Sequence, residues 1–148
     1  MTSQWNDKEK VFTEGILMNI TPIKLAGISI AFLVIFFFGF WLSRSGKPYN
    51  AILFNFHKLI ALATLIFLGI SVYRINLATP LGTATVALAV LTGAVFLGTM
   101  VTGGLLNLDT PMPAALTVVH HIAPYLTVLA TALTLYLVLN RVGIQRLI

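Results

Sequence analysis

The sequence predicts an all-α integral membrane protein, a bundle of four helices that run up and down across a bilayer. Of its 148 residues, 58% are hydrophobic and 9% are charged, whereas an ordinary soluble domain has about 25% charged residues. Between Leu25 and Asn140 the only charged residues are Arg44, Lys47, Lys58, Arg74 and Asp109. So few charges cannot cover the surface of a water-soluble fold, and we exclude soluble, disordered and nucleic-acid-binding proteins.

Four apolar segments define the predicted helices: 22–43, 50–73, 82–104 and 112–139. A helix needs about 20 apolar residues to cross ~30 Å of hydrocarbon, and each segment reaches that length. The connections between the segments are short and contain Gly, Pro or Asn. Because short connections force neighbouring helices to run antiparallel, the sequence predicts an up-and-down bundle.

The two ends of the chain are more polar than the segments between them. Residues 1–21 are predicted to form a polar N-terminal tail that can lie at the membrane interface, and residues 141–148 form a basic C-terminal tail. Near the helix ends, six Lys and Arg residues fall on the side of the two termini and three on the opposite side. Because cytoplasmic loops carry the excess of Lys and Arg, we expect both termini in the cytoplasm, with the chain in a cell or inner membrane.

Four ionisable side chains fall well inside the predicted spans: His57 and Lys58 in the second, and His120 and His121 in the fourth. The spans contain no Asp or Glu, and the chain contains no cysteine. Ionisable groups are costly in hydrocarbon and persist where a function needs them. These side chains are therefore the candidate site.

His57 and His120 are expected at the same depth. The second and fourth spans both start opposite the N-terminus, and His57 follows Asn50 by seven residues while His120 follows Met112 by eight. At ~1.5 Å per residue, both lie roughly 10–12 Å below one surface. Because these two helices are diagonal in the bundle, a flat macrocycle has room between the imidazoles. A bis-histidine b-type haem, with iron as its metal, requires this arrangement.

A stripe of side chains on the fourth span separates the two adjacent histidines. Six residues recur at helical spacing: Thr117, His120, Pro124, Thr127, Thr131 and Thr134. Because threonine gains little from facing lipid, we place this stripe inside the bundle and choose His120 as the second metal ligand. His121 is rotated by about 100° and is the alternative axial ligand.

Residues 56–59 (Phe-His-Lys-Leu) and 120–124 (His-His-Ile-Ala-Pro) resemble the membrane cytochromes b, including small four-helix di-haem cytochromes and ferric-reductase-like domains. The resemblance covers roughly residues 22–140. Those proteins usually hold two haems near opposite surfaces, whereas the histidines here all lie toward one side. The resemblance thus implies one haem and one-electron transfer with a quinol or a redox partner protein. If the chain is an enzyme, it is an oxidoreductase.

Cationic side chains flank the predicted site. Arg44, Lys47 and Lys58 lie where haem propionates would reach the outer surface, and charge-assisted hydrogen bonds to them would be favourable. Snorkelling to lipid phosphate is the alternative role of these residues. Quinone exchange near Asn55, Lys58 and the spare histidine is a further hypothesis.

The main alternative is a small structural or pigment-binding subunit of a larger respiratory or photosynthetic membrane complex. Histidine ligates the magnesium of chlorophyll as well as the iron of haem, and the sequence does not separate the two macrocycles. Other membrane subunits or a second copy of the chain would then be its partners. A catalytic zinc ion is excluded, because it needs three convergent ligands and His120 and His121 point about 100° apart.

Overall fold

The computed structural model describes the backbone of residues 3–108 and 110–145 and the side chains of residues 23–108 and 110–141. Across these residues the chain forms four helices and no strand: α1 (Ser3–Ser45), α2 (Ala51–Ala78), α3 (Thr83–Leu106) and α4 (Ala114–Gln145). Each helix contains a stretch long and apolar enough to cross a membrane: Ile23–Ser45, Ala51–Ala78, Thr83–Leu106 and Ala114–Arg141. The predicted all-α membrane bundle is confirmed.

The helices extend past the predicted spans. The backbone of α1 begins at Ser3, so the helix includes most of the predicted N-terminal tail, and α4 continues to Gln145 in the predicted C-terminal tail. The predicted spans are bounded by hydropathy and therefore end where the sequence becomes polar. Backbone hydrogen bonds do not depend on side-chain polarity, so the helices continue into the polar residues. The interfacial position of the N-terminal tail stays a prediction, and residues 146–148 lie outside the described residues.

Glycine and asparagine residues in the connections help the chain to reverse direction between helices. Gly46 has a φ of +68°, a left-handed conformation that glycine adopts without steric cost. Asn50 caps α2, because its Oδ1 accepts hydrogen bonds from the backbone N–H groups of residues 52 and 53 at 3.0 and 3.1 Å. Asn76 Oδ1 accepts from the Leu81 N–H at 2.9 Å across the next connection. These bonds satisfy polar groups that helix ends leave free.

The bundle consists of two hairpins, α1–α2 and α3–α4. The helices of each hairpin contact one another extensively, and α2 meets α3 over a shorter stretch. The buried apolar centre is small: Ile28, Ala61, Leu68 and Phe96. Most other large apolar side chains face outward, as a lipid-exposed surface allows and an aqueous one rarely does.

Polar contacts tie α3 to α4 along much of their length. The interhelical contacts are Thr92 Oγ1 to Thr134 Oγ1 at 2.9 Å, Thr99 Oγ1 to Thr127 Oγ1 at 3.2 Å, and Thr102 Oγ1 to His120 Nδ1 at 3.1 Å. Hydroxyl groups that bond across membrane helices stabilise their association by an average of about 0.6 kcal/mol each. The α3–α4 hairpin is therefore held by hydrogen bonds as well as by van der Waals contact.

The interior position predicted for the fourth-helix threonines is confirmed for three of them. Thr127, Thr131 and Thr134 are only 2%, 3% and 4% exposed. Thr117, nearer the start of α4, is exposed. The buried part of the stripe faces α3, since Thr127 and Thr134 both meet threonines of that helix.

Replacing Thr134 by Val should weaken the hairpin. The change keeps the volume of the side chain and removes its 2.9 Å hydrogen bond to Thr92, so we expect a loss of about 0.6 kcal/mol in the free energy of unfolding. Equilibrium unfolding in mixed detergent micelles, followed by circular dichroism, measures it. Thr117→Val changes an exposed threonine of the same helix and serves as the control. Equal effects of the two substitutions would contradict the assignment.

Candidate functional site

The imidazole of His120 is oriented by α3. Its Nδ1 lies 3.1 Å from the Thr99 carbonyl oxygen and 3.1 Å from the Thr102 hydroxyl. Because a carbonyl oxygen only accepts, we assign the proton of the neutral ring to Nδ1, which donates to Thr99. Nε2 then carries the lone pair and is the atom that can bind a metal.

Gly103 provides the space for the His120 ring. A Cβ atom at this position would lie 2.6 Å from Cε1 of His120 and 3.2 Å from Nε2. Real Cβ atoms do not approach other atoms this closely, so a side chain here would force the imidazole to move. The neighbouring Gly104 has no atom within 4 Å of the corresponding point. The ring of His120 thus occupies a place that only glycine leaves open.

His57 contacts α1 in a similar way. A Cβ atom at Gly39 would lie 3.2 Å from Cε1 of His57 and 3.8 Å from each ring nitrogen. The carbonyl of Ile35, one helical turn before this glycine, faces the ring. It does not complete a hydrogen bond to Nδ1, which is buried and has no partner among the described residues.

The two hairpins repeat one local arrangement. Each histidine is the seventh residue of its helix, counted from Ala51 in α2 and from Ala114 in α4. Each ring lies over a glycine of the preceding helix and faces the carbonyl of the residue four positions before that glycine. The equal depth that the sequence predicts therefore corresponds to equal helical positions.

Sequence reasoning missed Gly39 and the carbonyl groups that face the rings. A signal was present in the spacing of glycine and histidine. Gly39 precedes His57 by 18 residues, and Gly103 precedes His120 by 17. Glycine is common in membrane helices, so this spacing becomes informative only once the pairing of helices is known.

The two imidazoles occupy matched places in the two hairpins. α2 and α4 make their main contacts with their hairpin partners rather than with each other. Both histidines are half-buried. The structure thus places the two histidines that the sequence selects at equivalent positions of α2 and α4.

The other predicted site residues lie on the surface. His121, Lys58 and Asn55 are exposed, whereas His57 and His120 are half-buried. The cationic groups before α2 already have contacts: the Arg44 guanidinium lies 5.8 Å from the centre of the Phe40 ring, and Lys47 Nζ donates to the Leu108 carbonyl at 2.9 Å. The Lys47 bond links the connection between α1 and α2 to the connection between α3 and α4.

A cavity of about 280 Å³ lies between α2, α3 and α4, in the half of the bundle remote from the histidines. Its lining is mainly apolar and includes Leu65, Leu68, Val90, Phe96 and Leu135. None of the predicted site residues lines it. The cavity is therefore separate from the histidine pair.

The donor set limits which metal the site can hold. Among the residues whose placement is described, no three His, Cys, Asp or Glu side chains are grouped as metal ligands. A bare zinc ion needs at least three protein ligands. Two imidazoles suffice for iron or magnesium that a macrocycle already binds in its plane, because the protein then supplies only axial ligands. The chemistry of the pair favours such a group over a free ion.

Comparison of this chain with models of known protein families, with curated proteins and with solved structures finds no match. The argument for its function therefore depends on the histidine pair itself.

Gly103→Ala should destabilise the protein, because the new methyl group would meet the His120 ring at 2.6 Å. Overpacking of this kind costs about 1–3 kcal/mol, and the free energy of unfolding in detergent measures it. Gly104→Ala adds the same methyl group in open space and should be neutral or stabilise the helix by up to about 1 kcal/mol. A Gly103→Ala protein as stable as the Gly104→Ala protein would show that the ring does not occupy this place.

Proposed function

We propose that this protein is a membrane b-type cytochrome that transfers single electrons through one haem held between His57 and His120. The observation that carries the proposal is the matched placement of two half-buried imidazoles, each on the seventh residue of its helix and each over a glycine of the preceding helix. By the charge count, the site is near the non-cytoplasmic surface.

The residues present fit a haem. The hydrogen bond from His120 Nδ1 to Thr99 leaves the Nε2 lone pair available, and histidine ligands of metals usually donate their other N–H in this way. The spans contain no acid that would compete for the imidazoles. A haem held by two imidazoles has no open coordination position and supplies reversible one-electron chemistry.

The protein's own residues would orient and shield this group. Gly39 and Gly103 leave space for the ligand rings, and the apolar helices exclude water. Exposed Lys58, together with Arg44 and Lys47 before α2, would interact with the carboxylates of the haem at the outer surface. A quinol or a redox protein that reaches this surface would be the electron-exchange partner.

The second candidate is a structural or pigment-binding subunit, which the exposed His121 favours. An imidazole on an outward apolar surface lacks a partner among the described residues, and a neighbouring subunit or a chlorophyll would provide one. The visible spectrum of the purified protein distinguishes the candidates. Paired reduced α and β bands of a b-type haem support the cytochrome, whereas a red chlorophyll band or no visible absorption supports the subunit.

Substitution of the histidines tests the ligand assignment. His57→Ala and His120→Ala should each abolish the low-spin haem spectrum, because each removes an axial bond. His121→Ala changes the adjacent exposed residue and should leave the spectrum largely intact, which makes it the matched control. A reduced-minus-oxidised spectrum with pyridine haemochrome quantification measures the haem per chain. Loss of the low-spin form in His121→Ala, with retention in His120→Ala, would reverse the assignment.

The proposed orientation can be tested with single thiols, because the chain has no cysteine. Ser45→Cys and Thr83→Cys alter exposed residues at the end of α1 and the start of α3, on opposite sides of the bundle. With cytoplasmic termini, a membrane-impermeant thiol reagent should label Ser45→Cys in intact cells. It should label Thr83→Cys only after permeabilisation. The reverse labelling pattern would invert the orientation.

A further inference from the structure

The two histidines differ in how firmly their hairpins hold them. His120 Nδ1 has two partners on α3, the Thr99 carbonyl and the Thr102 hydroxyl. His57 Nδ1 is buried without a partner among the residues described. The Ile35 carbonyl, which corresponds to that of Thr99, faces the His57 ring without completing the bond.

The contacts around the rings differ in the same direction. A Cβ atom at Gly103 would lie 2.6 Å from the nearest atom of the His120 ring. A Cβ atom at Gly39 would lie 3.2 Å from the nearest atom of the His57 ring. The His57 ring therefore lies less close to the backbone of the helix before it.

The hairpins themselves also differ. Polar contacts join α3 to α4, whereas no side-chain hydrogen bond joins α1 to α2 in the part of the chain whose side chains are described. Aromatic contact instead links them, with the ring centres of Phe38 and Phe56 5.1 Å apart. Displacement of the α2 imidazole from the metal would break no interhelical hydrogen bond.

An unpartnered ring nitrogen weakens a histidine ligand. The hydrogen bond from the second ring nitrogen sets the orientation of the ring and raises its basicity, and its loss typically lowers metal affinity by about 10- to 100-fold. The bond through His57 should therefore be the weaker of the two axial bonds. A competing ligand would replace His57 before it replaced His120.

We propose that His120 anchors the haem and that His57 is an exchangeable ligand, whose place a small neutral molecule such as carbon monoxide or nitric oxide takes on the reduced iron. This inference depends on the proposed haem site. In the exchange, the bond from His57 Nε2 to iron breaks and the carbon or nitrogen lone pair of the incoming molecule forms the new bond. No proton or electron is transferred, and His57 leaves as a neutral imidazole.

Carbon monoxide titration of the purified, dithionite-reduced holoprotein tests the proposal. We expect a saturable loss of the low-spin α and β bands and the appearance of a carbon monoxide Soret band. Removal of carbon monoxide under argon should restore the original spectrum, because His57 returns. A low-spin spectrum unchanged at saturating carbon monoxide would overturn the proposal.

Replacement of each histidine ligand by glycine provides a second, independent measurement. His57→Gly should keep its haem through His120, now high-spin and with a higher affinity for carbon monoxide than the unsubstituted protein, because no imidazole competes for the iron. Added imidazole should restore its low-spin bands. His120→Gly should lose most of its haem while circular dichroism shows the helices intact. Equal haem retention in the two variants would overturn the asymmetry.

These outcomes separate the two proposals. Absence of haem from the unsubstituted protein would refute the proposed function. A low-spin haem that resists carbon monoxide, with equal haem loss in both variants, would refute only the exchangeable ligand and leave the cytochrome in place.

Discussion

A polar side chain within hydrocarbon must find its hydrogen-bonding partner inside the protein, and this constraint organises the bundle. On α4 the buried hydroxyls of Thr127 and Thr134 meet hydroxyls of α3, and His120 meets a carbonyl and a hydroxyl of the same helix. The contacts that satisfy these groups also fix the rotation of α4 about its axis. The orientation of the imidazole follows from that rotation, so one set of bonds supports both the fold and the site.

The two hairpins meet this constraint to different degrees. The α3–α4 hairpin satisfies its polar groups in pairs, whereas the α1–α2 hairpin packs mainly through apolar and aromatic side chains and leaves His57 Nδ1 without a partner among the described side chains. A buried group without a partner is uncommon in native proteins and calls for an explanation. The proposed exchange of His57 as a metal ligand would be such an explanation.

Much of the fold could be predicted from the sequence because hydropathy is a property of single segments. The number of helices, their order and the common depth of His57 and His120 follow from positions along the chain. The places of Gly39 and Gly103 could not be predicted, because they depend on how each helix is rotated against its neighbour. Thr117 is exposed although it belongs to the predicted stripe.

The shallow position of the two imidazoles has an electrical consequence. As the seventh residues of their helices, they lie about six rises of 1.5 Å, or ~9 Å, from the ends of α2 and α4. A unit charge that crosses a whole bilayer changes energy by about 2.3 kcal/mol per 100 mV. Because ~9 Å is roughly a third of a ~30 Å hydrocarbon layer, a charge that moved between the nearer membrane surface and the pair would experience only about that fraction of the transmembrane voltage. If the pair holds the proposed haem, its oxidation and reduction from the nearer surface would therefore be only weakly electrogenic.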